Sequence, residues 1–127
     1  MPLTTLTAVA LTKDADGLVI SQGAGEAIDT ADVMRVLFPK EGKLAIIIDS
    51  DNNATQPNFQ PGGSGVGAGT KGFLAKGIGV FQPTAIATAT MQIFMMSSDR
   101  FKNQDGHIYF DWESSSAGFV RVVTLPE

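Results

Sequence analysis

The chain has 127 residues and a mass of 13.4 kDa, the material of one domain that buries about 65–70% of its extended surface. It is 43% hydrophobic and 17% charged, below the roughly 25% charge of a typical soluble domain, so disorder is excluded and a surface partly covered by a partner is expected. No cysteine, a single histidine (His107) and a net charge of −4 exclude disulfide scaffolds, thiolate chemistry, a two-histidine metal site and a basic nucleic-acid surface.

No apolar run reaches 18 residues, so no membrane-spanning helix is expected, and the first residues lack the basic and apolar regions of a signal peptide. Fourteen glycines and six prolines punctuate short apolar runs rich in Thr, Val, Ile and Phe. That pattern predicts many short strands joined by frequent turns.

Met1 to Leu11 is extended in character, with Thr4, Thr5 and Thr7 set among Leu3, Leu6 and Val9. Asp14-Ala15-Asp16-Gly17 reads as a turn, because Asp side chains bond the local backbone and Gly accepts positive φ. Gly17 to Ser21 reads as a short strand and Gly23 to Thr30 as a loop. From there two structures fit. One is a helical turn capped by Asp29, Thr30 or Asp32 and running through Val36. The other is a strand from Val33 to Phe38 ended by Pro39. Pro39-Lys40-Glu41-Gly42 forms a second turn.

Lys43 to Asp51 is the clearest strand, and its run Leu44-Ala45-Ile46-Ile47-Ile48 is apolar on both faces, as in a central strand between two layers. Asn52 to Lys71 is rich in Asn, Gln, Pro and Gly and reads as a long flexible loop. Gly72 to Phe81 resumes order, with Gly77 and Gly79 allowing a bend. Thr84 to Met96 has period 2 and predicts a strand. Ala85, Ala87, Ala89, Met91, Ile93 and Met95 share one face; Thr84, Thr88, Thr90 and Gln92 share the other, interrupted by Ile86 and Phe94. Met91, Met95 and Met96 read as adaptable core filler.

Asn103-Gln104-Asp105-Gly106 is a turn. His107 to Trp112 alternates, with His107, Tyr109 and Asp111 opposite Ile108, Phe110 and Trp112, and the second set is expected in the core. Ser114 to Gly118 is a loop and Phe119 to Leu125 a final strand. Seven to nine short strands without a long helix predict an all-β single domain: an antiparallel β-sandwich or jelly-roll-like barrel, with residues 1–11 as an extended arm.

Candidate chemistry is sparse. Gly67-Ala68-Gly69-Thr70-Lys71-Gly72 satisfies G-x-G-x-x-G, but a Pro-rich loop precedes it and no helix follows, so it reads as a flexible loop and not as a phosphate cradle. Asp49-Ser50-Asp51-Asn52-Asn53 begins like a calcium loop, yet Ala54 and Gln60 stand where that loop needs Gly and Glu. Whether Asp49 and Asp51 bind an ion stays open at this point. Asn53-Ala54-Thr55 is a glycosylation sequon in a chain with no secretion signal. His107 lies near Asp105 and Asp111, but no serine stands in a strained elbow, so no catalytic residue, no metal and no cofactor is expected. Arg100, beside Asp99, is a candidate anchor for bidentate bonds to a partner.

The stretch SSDRFKNQDGHIYFDWESSSAGFVRVVTLPE resembles the tail of a group of small phage virion proteins that read E-S-x-R-F-x-Q-x-D-G-x-I-x-x-D-F and end near L-P or V-P. Matching positions are Ser97 or Ser98, Arg100, Phe101, Asp105, Gly106, Ile108, Asp111, Gly118 and Leu125-Pro126. Upstream, Lys43 to Asp51 resembles the family's L-L-L-R-V-x-N-T strand, and Phe73 to Gly79 its L-x-K-G-x-G-D-L segment. Here the Glu before Ser is absent and Trp112 replaces the usual Phe.

The resemblance is to the tailed-phage capsid decoration, or cement, proteins. It implies a structural, non-enzymatic protein of the outer capsid surface, made in the bacterial cytoplasm. Its partner would be the major capsid protein, and it would be a homo-oligomer with a trimer favoured. Neither nucleic acid nor membrane would be a partner. Candidate contacts are Pro2, Leu3, Thr4, Thr5 and Leu6 for strand addition, then Gly65, Gly67 and Lys71 in the glycine loop, and Arg100. The alternative is a carbohydrate- or receptor-binding β-sandwich module, with Trp112 and Tyr109 as its sugar-stacking residues.

Overall fold

The computed structural model describes residues 3–11, 25–40, 42–51, 53–60, 81–96, 101–102 and 106–126. Nine strands run through them: β1 (Leu3–Leu6), β2 (Val9–Ala10), β3 (Glu26–Ala27), β4 (Val33–Leu37), β5 (Lys43–Ser50), β6 (Pro57–Phe59), β7 (Met91–Met96), β8 (His107–Trp112) and β9 (Gly118–Leu125). They form two sheets, one of four strands in the order β1-β4-β8-β6 and one of five. In the second, the order is β2-β9-β5-β7, with β3 also paired to β9. The two sheets pack as a sandwich, and among the described residues no strand closes them into a barrel. The sheets are mixed and not wholly antiparallel, because β1 runs parallel to β4 and β2 parallel to β9.

The core follows from alternation. In the five-stranded sheet Leu44, Ile46 and Ile48 of β5 point inward beside Val120 and Val122 of β9. In the four-stranded sheet Met34 and Val36 of β4 point inward beside Ile108, Phe110 and Trp112 of β8. Phe59 joins the layers: its ring lies 5.3 Å from Phe94, 5.6 Å from Phe110, 6.0 Å from Phe81 and 6.2 Å from Phe101. Such a cluster stabilises through area burial and through tilted ring contacts worth about 0.5–1.5 kcal/mol each. Trp112 packs edge-on against Phe110, so Ile108, Phe110 and Trp112 are core residues as expected.

Several expectations need correcting. Of the two structures that fit this stretch, the strand is the one formed, over Val33–Leu37, and the helical turn is not. Part of the Asn52–Lys71 loop is ordered as β6, because Asn58 between Pro57 and Phe59 gives a period-2 triplet that pairs with β8. The strand expected over Thr84–Met96 occupies only its second half. Ala89 takes a positive φ of 59°, which starts β7 late, while Ile86 makes an isolated bridge to Thr55. Met91 and Met95 are exposed and only Met96 fills the core. The interrupting residues Ile86 and Phe94, and not the Ala–Met row, mark the inner face. The turn at Asp14–Gly17, the strand at Gly17–Ser21 and most of Gly72–Phe81 lie outside the described residues.

Candidate functional site

The segment read as an arm is built into both sheets. Leu3–Leu6 pairs with β4 as the outer strand of the four-stranded sheet. Two residues later, Val9–Ala10 pairs with β9 as an outer strand of the other. Leu6 anchors the crossing in the core, while Leu3 and Val9 are 43% and 41% exposed. Thr4 Oγ1 donates to Asp32 Oδ2 at 2.9 Å, and Arg35 Nε donates to Thr5 Oγ1 at 2.9 Å. Four of the candidate contacts, Leu3, Thr4, Thr5 and Leu6, are therefore brought together on one edge. Pro2, Gly65, Gly67, Lys71 and Arg100 lie outside the described residues.

Where the chain crosses between sheets it leaves a groove of about 370 Å³. Thr5, Leu6, Thr7 and Val9 line one side, and Glu26 and Arg121 contribute opposite charges. The groove is bordered by β1 and β2, outer strands of their sheets among the described residues.

A second depression lies on the outer face of the four-stranded sheet. It measures about 430 Å³ and is lined by Asn58, Gln60, Gln82, Asp111 and Glu113. Gln82 Nε2 donates to Glu113 Oε1 at 2.6 Å and lies 2.7 Å from Asn58 Oδ1. Burial pushes the Asp111 carboxyl above its usual range, and the neighbouring Glu113 adds to the rise. Hydrogen bonds from Asn58 and Gln60 act against it. The loop reading hid this depression. The available signal was the alternation of Asn58 and Gln60 around apolar Phe59, which puts both amides on one face.

The remaining sequence candidates separate. His107 and Asp111 share the outer face of β8 but stand four residues apart, about 13 Å along a strand, too far for a direct hydrogen bond. Tyr109, between them, is fully buried and its hydroxyl lies 3.4 Å from Arg35 Nη1. Asp49 sits within β5, paired with Met91 and Phe119, and Asp51 follows the strand end. Among the described residues no three of His, Cys, Asp and Glu gather as a metal site would need. Thr55 of the sequon is buried, its hydroxyl donating to the Ala117 carbonyl at 2.6 Å. Trp112 faces the core and offers no sugar platform.

Comparison with known proteins returns no matching family model, no matching curated protein and no matching solved structure.

Proposed function

We propose that this chain is a structural virion protein that binds the outer surface of a tailed-phage capsid and stabilises the shell. The observation that carries this reading is the N-terminal segment. One run of eight residues, Leu3 to Ala10, supplies an outer strand to each of two sheets among the described residues, exposes Leu3, and exposes Val9 at the side of a groove. An open strand edge offers backbone hydrogen bonds to an extended segment of a partner, and the exposed apolar side chains give that addition its register. The resemblance of residues 43–126 to decoration proteins supplies the partner: the major capsid protein. Such a joint is specific once it buries about 1,200–2,000 Å², and repetition over a symmetric shell multiplies its effect.

Leu3 and Val9 are exposed, so charging them leaves the sandwich folded. A Leu3→Glu, Val9→Glu double variant is expected to keep the wild-type melting profile and to lose retention on shells that lack the protein. Retention equal to wild type overturns the assignment of this edge. The alternative, a glycan-binding module, draws on the depression of Asn58, Gln60, Gln82, Asp111 and Glu113, whose amides and carboxylates match sugar hydroxyls. Binding of the wild-type chain to a glycan array, lost in Glu113→Ala, would favour it.

A further inference from the structure

The edge strand β7 differs from the N-terminal edges in its chemistry. It pairs with β5 on one side, and among the described residues no strand pairs with its other side. Its register places Asp49 opposite Met91, so Ser50 is opposite Thr90. The Ser50 N–H donates to the Thr90 carbonyl at 2.9 Å, which makes that a hydrogen-bonded pair. Bonded and non-bonded pairs alternate along an antiparallel ladder. Gln92, Phe94 and Met96 therefore turn their backbone groups toward β5, whereas Met91, Ile93 and Met95 turn theirs outward. These same three residues expose their side chains by 45%, 59% and 52%.

Open edges are normally guarded by Lys, Pro, bulges or inward charges. This edge has none of these: Thr84 to Met96 contains no charged residue and no proline. A chain of net charge −4 meets its own copy with least repulsion along such a neutral strip. The outward-facing residues Met91, Ile93 and Met95 are also apolar and symmetric about Ile93, although Gln92 and Phe94 between them are not alike. Antiparallel pairing of two copies about that point sets Ile93 against Ile93 and Met91 against Met95. Every outward N–H then meets a carbonyl, about six inter-chain bonds in all. The result is an isologous contact.

We propose that β7 is the seam of a two-fold homodimer, in which two five-stranded sheets join edge to edge into one continuous sheet. This goes beyond the shell-binding reading and does not rest on it, because it concerns a different edge and is read on the purified chain alone.

The test is mass by light scattering and sedimentation over a hundredfold range of concentration. The wild type is expected near twice 13.4 kDa at the upper end. Ile93→Lys is expected to weaken dimerisation at least tenfold while its melting curve shows a folded chain. Leu37→Lys, at an equally exposed position on the other sheet, is expected to leave the mass unchanged. The chain has no cysteine, so an Ile93→Cys variant gives a clean second readout. A short bifunctional maleimide should join it into covalent dimers, and should not join Leu37→Cys. A wild-type monomer at every concentration, a trimer that Ile93→Lys does not disturb, or equal cross-linking of the two cysteine variants would each overturn the proposal.

Discussion

Ser50 and Thr90 bind each other in both directions: Ser50 N–H donates to the Thr90 carbonyl and Thr90 N–H donates to Ser50 Oγ, each at 2.9 Å. The Ser50 hydroxyl also lies 2.6 Å from the Ala87 carbonyl, which ties the turn before β7 to the end of β5. This knot sets where β7 begins and which of its residues face outward. Ser50 is 3% exposed and its hydroxyl bonds the Thr90 N–H and the Ala87 carbonyl, so Ser50→Ala removes both bonds. We expect a loss of about 1–3 kcal/mol in denaturant unfolding, with faster amide exchange at the start of β7.

Gly118 opens β9 at φ +136°, a backbone region that favours glycine. A Cβ there would run into the Asp49 carbonyl oxygen on β5. Gly118→Ala should therefore cost roughly 2–4 kcal/mol and move the thermal midpoint down by several degrees. An unchanged midpoint would show that β9 does not hold this register against β5.

Trp112 is the one described residue with a buried side-chain polar atom, Nε1, that has no hydrogen-bond partner. Trp112→Phe removes that orphaned donor and leaves a small void in its place. The two effects oppose each other at about 1–3 kcal/mol apiece, so a net change within about 1 kcal/mol is expected. Trp112→Ala, which removes the same donor but opens a far larger void, should cost about 3–5 kcal/mol. Equal losses in both variants would contradict this account of the indole.

Asp111 is held above the usual carboxylate range, chiefly by burial. A carboxyl whose folded value exceeds its unfolded value binds more protons in the folded state within that window. Stability from this group is therefore present at acid pH and lost as pH rises through the window. Asp111→Asn removes the buried charge but keeps the shape. Relative to wild type, the variant should gain its advantage near neutral pH and lose it as pH falls below the unfolded value. Unfolding midpoints across that range check the sign, and an advantage confined to acid pH would reverse it.

The elements most legible in the sequence were those where two signals agreed. Lys43–Ser50 combined an apolar run with flanking turns, and His107–Trp112 combined alternation with a preceding Asp-Gly turn. β6 was hidden because Pro57 and its Asn- and Gln-rich neighbours carry loop composition, and only pairing with β8 makes a strand of three residues worth forming. The faces of β7 were misread because an edge strand need not bury its more apolar side. Met91, Ile93 and Met95 outnumber Phe94 and Met96, yet it is the latter pair that meets the core. The N-terminal segment was legible as extended, but not its switch from one sheet to the other. That depends on Leu6 finding the core between two long-range parallel pairings. The polar depression gathers Asn58, Gln82 and Asp111 from three distant parts of the chain, and only the alternation of Asn58 and Gln60 around Phe59 marks it locally.

Shell binding is most directly measured by titrating the purified chain onto capsid shells that lack it, with sedimentation to separate bound from free. The account predicts saturable binding at a fixed number of sites per shell, shells that survive more heat when saturated, and loss of both effects in the Leu3→Glu, Val9→Glu variant. Absence of saturable binding, or shells no more stable when covered, would contradict it.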